Sequence, residues 1–127
     1  MTNFSLTTRV VLTLCFMVLL MLVSLIPGHH RPGDSVFIWL VANTPTLMQK
    51  VLHVCLYGVF ALLLVWTLDG IQSRTYRFLI ALIIAVAFGS VMEWCQTKVP
   101  GRFGTVYDAA LNAAGAALGL LAAVFLL

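Results

Sequence analysis

Charge is what this sequence has least of. Seven Lys and Arg and four Asp and Glu are spread over 127 residues, so that 9% of the chain is charged and 62% is hydrophobic. With a mean hydropathy of +1.08, this lies far outside soluble globular usage. A chain of this length committed to apolar runs leaves no room for a separate soluble catalytic module. The formal net charge is +3 and the isoelectric point is near 9.0, but the basic residues are scattered singly. A nucleic-acid surface needs a basic stripe, so no nucleic-acid partner is expected. Isolated cations beside apolar helices read instead as topology signals and contacts to anionic lipid.

Cysteine pairing motifs are missing too. Cys15, Cys55 and Cys95 fall in three different apolar runs, with no CxxC and no Cys/His spacing, so neither a disulfide framework nor a zinc site is expected. They read as small apolar fillers. Cys95 lies close to Glu93 but has no activating base among its sequence neighbours, and no nucleophile motif surrounds Ser90 or Tyr57. Adjacent His29 and His30 in the polar segment GHHRPGDS have no spaced partner and read as solvated. No metal and no cofactor is implied.

Long apolar runs are what remains. The first extends from about Thr8 to Ile26 and stops at Pro27-Gly28. Only Arg9, at its start, supplies a basic n-region and no small-x-small cleavage site follows, which favours a retained signal anchor over a signal peptide. The stretch Val36 to Ala42 is too short to cross; it suits an interfacial or re-entrant segment, with Trp39 at headgroup level. Pro45 can open a second span over 46–68, with Asn43 or Thr44 as cap, ended by Asp69-Gly70. Third and fourth spans are expected over 76–97 and 105–127.

The expected fold is therefore all-α, an integral membrane four-helix bundle forming a single transmembrane domain over 1–127, with a short interfacial or re-entrant segment between the first and second helices. Four crossings put both termini on one side. Arg9, Arg74 and Arg77 then share that side, while Arg31, Lys50, Lys98 and Arg102 share the other, which is nearly balanced. Reading Lys50 and Arg102 as site residues tips the balance toward cytoplasmic termini in the inner (plasma) membrane.

The scarce polar residues of the spans gather at the end opposite the termini. Lys50, His53 and Tyr57 share a stripe of the second helix at i, i+3, i+7; Gly89, Glu93 and Gln96 share one on the third. Asp108, Asn112, Gly115 and Gly119 share one on the fourth. A charge in hydrocarbon costs about 2.5 to 3.5 kcal/mol at mid-helix, so such groups face protein, water or one another. Lys50 and Arg102 are the available cations for Glu93 and Asp108.

In order and spacing, K-x-x-H-x-x-x-Y at Lys50, His53 and Tyr57, E-x-x-Q at Glu93 and Gln96, P-G-R at Pro100 to Arg102, and D-x-x-x-N-x-x-G at Asp108, Asn112 and Gly115 resemble the signature of VanZ-like membrane proteins. The resemblance covers about Gln49 to Gly119. Many members carry an acidic residue just before the lysine, where this chain has Gln49. The resemblance implies a four-span fold and a bacterial cell-envelope setting; the founding member is associated with lowered susceptibility to teicoplanin.

Three functions suit the cluster. As a binding site, Lys50, His53, Tyr57, Glu93, Gln96, Arg102, Asp108 and Asn112 form a one-sided pocket for an anionic amphiphile, a membrane lipid or lipid-linked envelope precursor, with Arg and Lys on its phosphate. As a hydrolase or transferase acting on an envelope lipid, His53 is general base or acid and Glu93 or Asp108 its orienting or proton-relay carboxylate, with Lys50 and Arg102 stabilising developing charge. As a scaffold, the same residues only fix helix register. A channel is disfavoured, because beyond Asn112 the fourth helix holds only Ala, Gly, Val, Leu and Phe. The Gly115-x-x-x-Gly119 face suits packing within the bundle better than a homo-oligomer, since Asn112 lies on the same stripe.

Overall fold

The computed structural model describes residues 3–25, 36, 46–99 and 105–127. Among them are four long helices and no strand: α1 Leu6–Ser24, α2 Thr46–Thr67, α3 Arg74–Gln96 and α4 Val106–Leu126, with a single 3₁₀ turn at Leu68–Gly70 after α2. All four are long and apolar enough to cross a bilayer. The expected all-α four-helix membrane bundle is what these residues form. The proposed interfacial segment, apart from Val36, and the caps Asn43 and Thr44 lie outside the described residues.

Capping sets the helix starts more sharply than hydropathy does. Ser5 accepts a hydrogen bond from the Thr8 N–H, which starts α1 at Leu6 rather than near Thr8. Ser73 does the same for the Tyr76 N–H, so α3 begins at Arg74, two residues before the apolar run. Thr105 takes the Asp108 N–H at 3.0 Å and opens α4.

The core forms around α2, whose Tyr57, Phe60, Ala61, Leu64 and Val65 are buried against Ala81 and Ala85 of α3, Ala116 and Ala123 of α4, and Leu20 of α1. Small residues on α3 and α4 bring the backbones close, and the aromatic rings of α2 fill the space that remains; Phe60 and Phe88 meet in a tilted contact with centroids 5.4 Å apart. Backbone contact is closest between α2 and α4. A Cβ on Gly115 would stand 2.9 Å from the Val54 Cα, and one on Gly119 would stand 2.8 Å from the Gly58 Cα. The Gly115-x-x-x-Gly119 stripe is thus spent inside the bundle.

At the end holding both termini, three elements are tied by one carboxylate. Asp69 accepts from Arg9 Nη1 at 3.2 Å and from Arg77 Nη1 at 3.1 Å. Arg9 also donates to the Trp66 carbonyl at 3.2 Å, and Thr13 meets Thr67 at 2.7 Å. These arginines are topology signals by sequence; in the fold they also clamp α1 and α3 to the end of α2.

Candidate functional site

Asn112 is the centre of the opposite end. It is 1% exposed and faces two helices at once. Its Nδ2 donates to Glu93 Oε1 at 3.2 Å, and its Oδ1 lies 2.8 Å from His53 Nδ1. An amide has one donor end and one acceptor end; with the donor on the carboxylate, the acceptor faces His53, whose Nδ1 therefore carries the proton. The result is a directed chain from His53 through Asn112 to Glu93, joining α2, α4 and α3. His53 Nδ1 is also 3.8 Å from Glu93 Oε1.

Gly89 makes room for this chain. A Cβ there would lie 3.0 Å from Tyr57 Cε1 and 3.1 Å from Asn112 Cβ, so a glycine lets the tyrosine ring and the amide share one layer. Tyr57 is 2% exposed and Glu93 4%. Yet among the described residues the Tyr57 hydroxyl and Glu93 Oε2 have no hydrogen-bond partner. Buried polar atoms are normally satisfied, so two such atoms within electrostatic reach of each other mark this layer as a place able to receive a further polar group.

Glu93 also lines a cleft of about 350 Å³ between the end of α3 and the start of α4, together with Ser90, Trp94, Thr97, Thr105, Val106 and Ala109. Its rim is outward-facing: Ser90, Trp94, Thr97, Thr105 and Val106 are exposed. In a membrane-spanning bundle such a face meets lipid. Lys98 stands at that rim with Nζ 4.1 Å from the Trp94 ring centroid.

Of the residues the sequence singles out, His53, Tyr57, Glu93 and Asn112 converge. Asp108 lies one turn above Asn112, close enough to act on Glu93 electrostatically. Lys50 stays at the edge of α2 with Nζ 4.9 Å from the Tyr107 ring centroid, and among the described residues it is the His53 ring, 3.8 Å away, that faces Glu93. Gln96 is buried, but its Nε2 donates to the Ser24 carbonyl at 3.0 Å and so ties α3 to α1. Arg102 lies outside the described residues. The sequence reading overlooked Ser24, Trp94, Thr97 and Lys98 as site neighbours; the signal was a polar residue in the last turn of an apolar helix and an aromatic-to-lysine spacing of four.

Among the described residues no three His, Cys, Asp or Glu side chains converge as a metal site requires. Cys15 and Cys55 are exposed and Cys95 is half-buried, all as free thiols.

Fold and site together define a multi-pass membrane protein with a buried polar layer near one membrane face. No curated protein and no solved structure matches the chain. The VanZ/LLP1 family profile does, over residues 4–127, and the chain belongs to that family.

Proposed function

We propose that this protein binds an anionic amphiphile of the bacterial cell envelope, in class a lipid-linked phosphate, through the cleft between α3 and α4. The observation that carries the reading is Glu93 Oε2, buried and without a hydrogen-bond partner among the described residues, on a side chain that lines a cleft open on the outer face of the bundle. Lys98 at the rim lies five residues beyond Glu93, roughly 7.5 Å along a helix axis. The phosphate belongs with that cation and with Arg102, which the sequence assigns to the same headgroup; a hydroxyl or amide N–H of the headgroup donates to Glu93. The tail stays in lipid. Family membership agrees with an envelope role, and a link to glycopeptide (teicoplanin) susceptibility would follow if the amphiphile is a cell-wall precursor.

The test is photolabelling of purified protein by a diazirine-bearing polyprenyl phosphate in mixed micelles. Labels should fall near Trp94 and Val106, and Lys98→Gln should lower them about fivefold, the worth of one basic residue at a membrane surface. Labelling unchanged in Lys98→Gln, Glu93→Gln and Ser90→Trp alike would end the proposal. A scaffold is the second reading, favoured by the hydrogen bonds of His53, Asn112 and Gln96, all of which cross between helices. It expects Glu93→Gln to lower the melting temperature and leave labelling untouched.

For orientation we propose cytoplasmic termini in the inner membrane, supported by Arg9, Arg74 and Arg77 at the terminal side of the bundle. A fluorescent-protein fusion after Leu127 should then fluoresce and an alkaline phosphatase fusion there should be inactive. An active phosphatase would reverse the assignment and put the polar layer near the cytoplasmic face.

A further inference from the structure

At the terminal end of the same two helices there is a second groove, of about 480 Å³, lined by Arg74, Thr75, Phe78, Leu79 and Leu82 of α3 and by Leu120 and Val124 of α4. It lies far from the Glu93 layer. From Arg74 to Leu82 the groove extends roughly 12 Å along the axis, from headgroup level into the hydrocarbon of one leaflet. Its wall is apolar apart from Thr75 and one cation at the mouth.

That cation differs from its neighbours. Arg9 and Arg77 share Asp69, whereas Arg74 has no carboxylate partner among the described residues. Its Nη2 donates to the Val124 carbonyl at 2.9 Å, and its guanidinium lies 5.3 Å from the Phe78 ring centroid. Both contacts hold the fork across the mouth of the groove, between α3 and α4. One N–H is used on the backbone, and the guanidinium has five to offer. A planar fork held at headgroup depth is suited to two phosphate oxygens.

We propose that this groove is an anionic phospholipid site, one acyl chain lying along Phe78, Leu82 and Leu120 and the headgroup phosphate on Arg74. The volume is within the range of about 300 to 1,000 Å³ typical of ligand sites. Charge complementarity selects the headgroup, and the depth of the groove selects a lipid. The site is independent of the cleft at Glu93 and stands or falls without it.

The test is native mass spectrometry of the full chain with equimolar phosphatidylglycerol and phosphatidylcholine of identical acyl chains. The wild type should retain phosphatidylglycerol about fivefold more than phosphatidylcholine. Arg74→Gln should abolish that preference, Arg74→Lys should keep most of it, and Leu79→Trp, which fills the groove from an exposed position, should lower retention of both lipids. Gly70→Ala, outside both grooves and with nothing within 4 Å of the new atom, should leave the preference unchanged. Equal retention of the two lipids by the wild type, or an undiminished preference in Arg74→Gln, overturns the proposal.

Discussion

Gly119→Leu should leave no folded protein to purify, and even Gly119→Ala should cost about 3 kcal/mol or more, at the upper end of what overpacking does in a core. The reason is what the new atom meets. A Cβ at Gly119 falls on the Gly58 carbonyl and lies 2.8 Å from both the Gly58 Cα and carbonyl carbon. These are backbone atoms of a neighbouring helix, with no side-chain rotamer to turn away, so α2 and α4 must separate as rigid bodies. Separation strips contact from the pair that packs most closely, and in lipid there is no hydrophobic force between helices to restore it.

Other glycines grade the effect. Gly115→Ala meets the Val54 backbone in the same way and should behave like Gly119→Ala, while Gly58→Ala would place its Cβ 3.2 Å from the Gly115 carbonyl oxygen and should be milder. Gly70 has nothing within 4 Å of its Cβ position, so Gly70→Ala should be silent. Resistance to unfolding by an increasing fraction of SDS in mixed micelles, read by circular dichroism, measures the series. If Gly119→Ala and Gly70→Ala unfold together, the close α2–α4 contact does not hold in solution.

Much of this packing is written in composition and period. Four apolar runs of crossing length give four helices, and small residues four apart on the stripe of Asn112 indicate which face of α4 turns inward. The polar residues of α2, α3 and α4 share one end because alternating crossings put them there. Partner choice is less legible. Glu93 and Gln96, three residues apart, are offset by roughly 60° around the helix. That offset is enough to send the carboxylate toward α4 and the amide toward the last turn of α1. No pattern within α3 carries this, because the position of α1 decides it. Lys50 suits Glu93 by charge, yet its Nζ sits over the Tyr107 ring of α4 and, among the described residues, it is His53 that faces Glu93. The Asp69 clamp needs α1, α2 and α3 together and was hidden for the same reason.

Asn112→Leu should be the most damaging substitution in the polar layer. Leucine is close to asparagine in size, so cavity formation is not the issue; hydrogen bonding is. The change leaves His53 Nδ1 and Glu93 Oε1 facing an alkyl chain, beside a Glu93 Oε2 and a Tyr57 hydroxyl that already lack partners among the described residues. A buried group left unsatisfied costs about 1 to 3 kcal/mol, whereas an interhelical hydrogen bond within a membrane contributes about 0.6 kcal/mol on average. The larger figure applies here. The average describes pairs whose members find other partners when the bond is lost, but Asn112 is 1% exposed and Gly89 holds Tyr57 and the amide in one tight layer that leaves little room for rearrangement. We therefore expect about 2 kcal/mol or more, read as earlier SDS unfolding. Adding Glu93→Met removes the stranded carboxylate, so Asn112→Leu/Glu93→Met should unfold later than Asn112→Leu alone, a non-additivity only neighbours show. A double variant no more stable than the single one would mean that Asn112 does not satisfy Glu93, and the chain from His53 to Glu93 would lose its middle member.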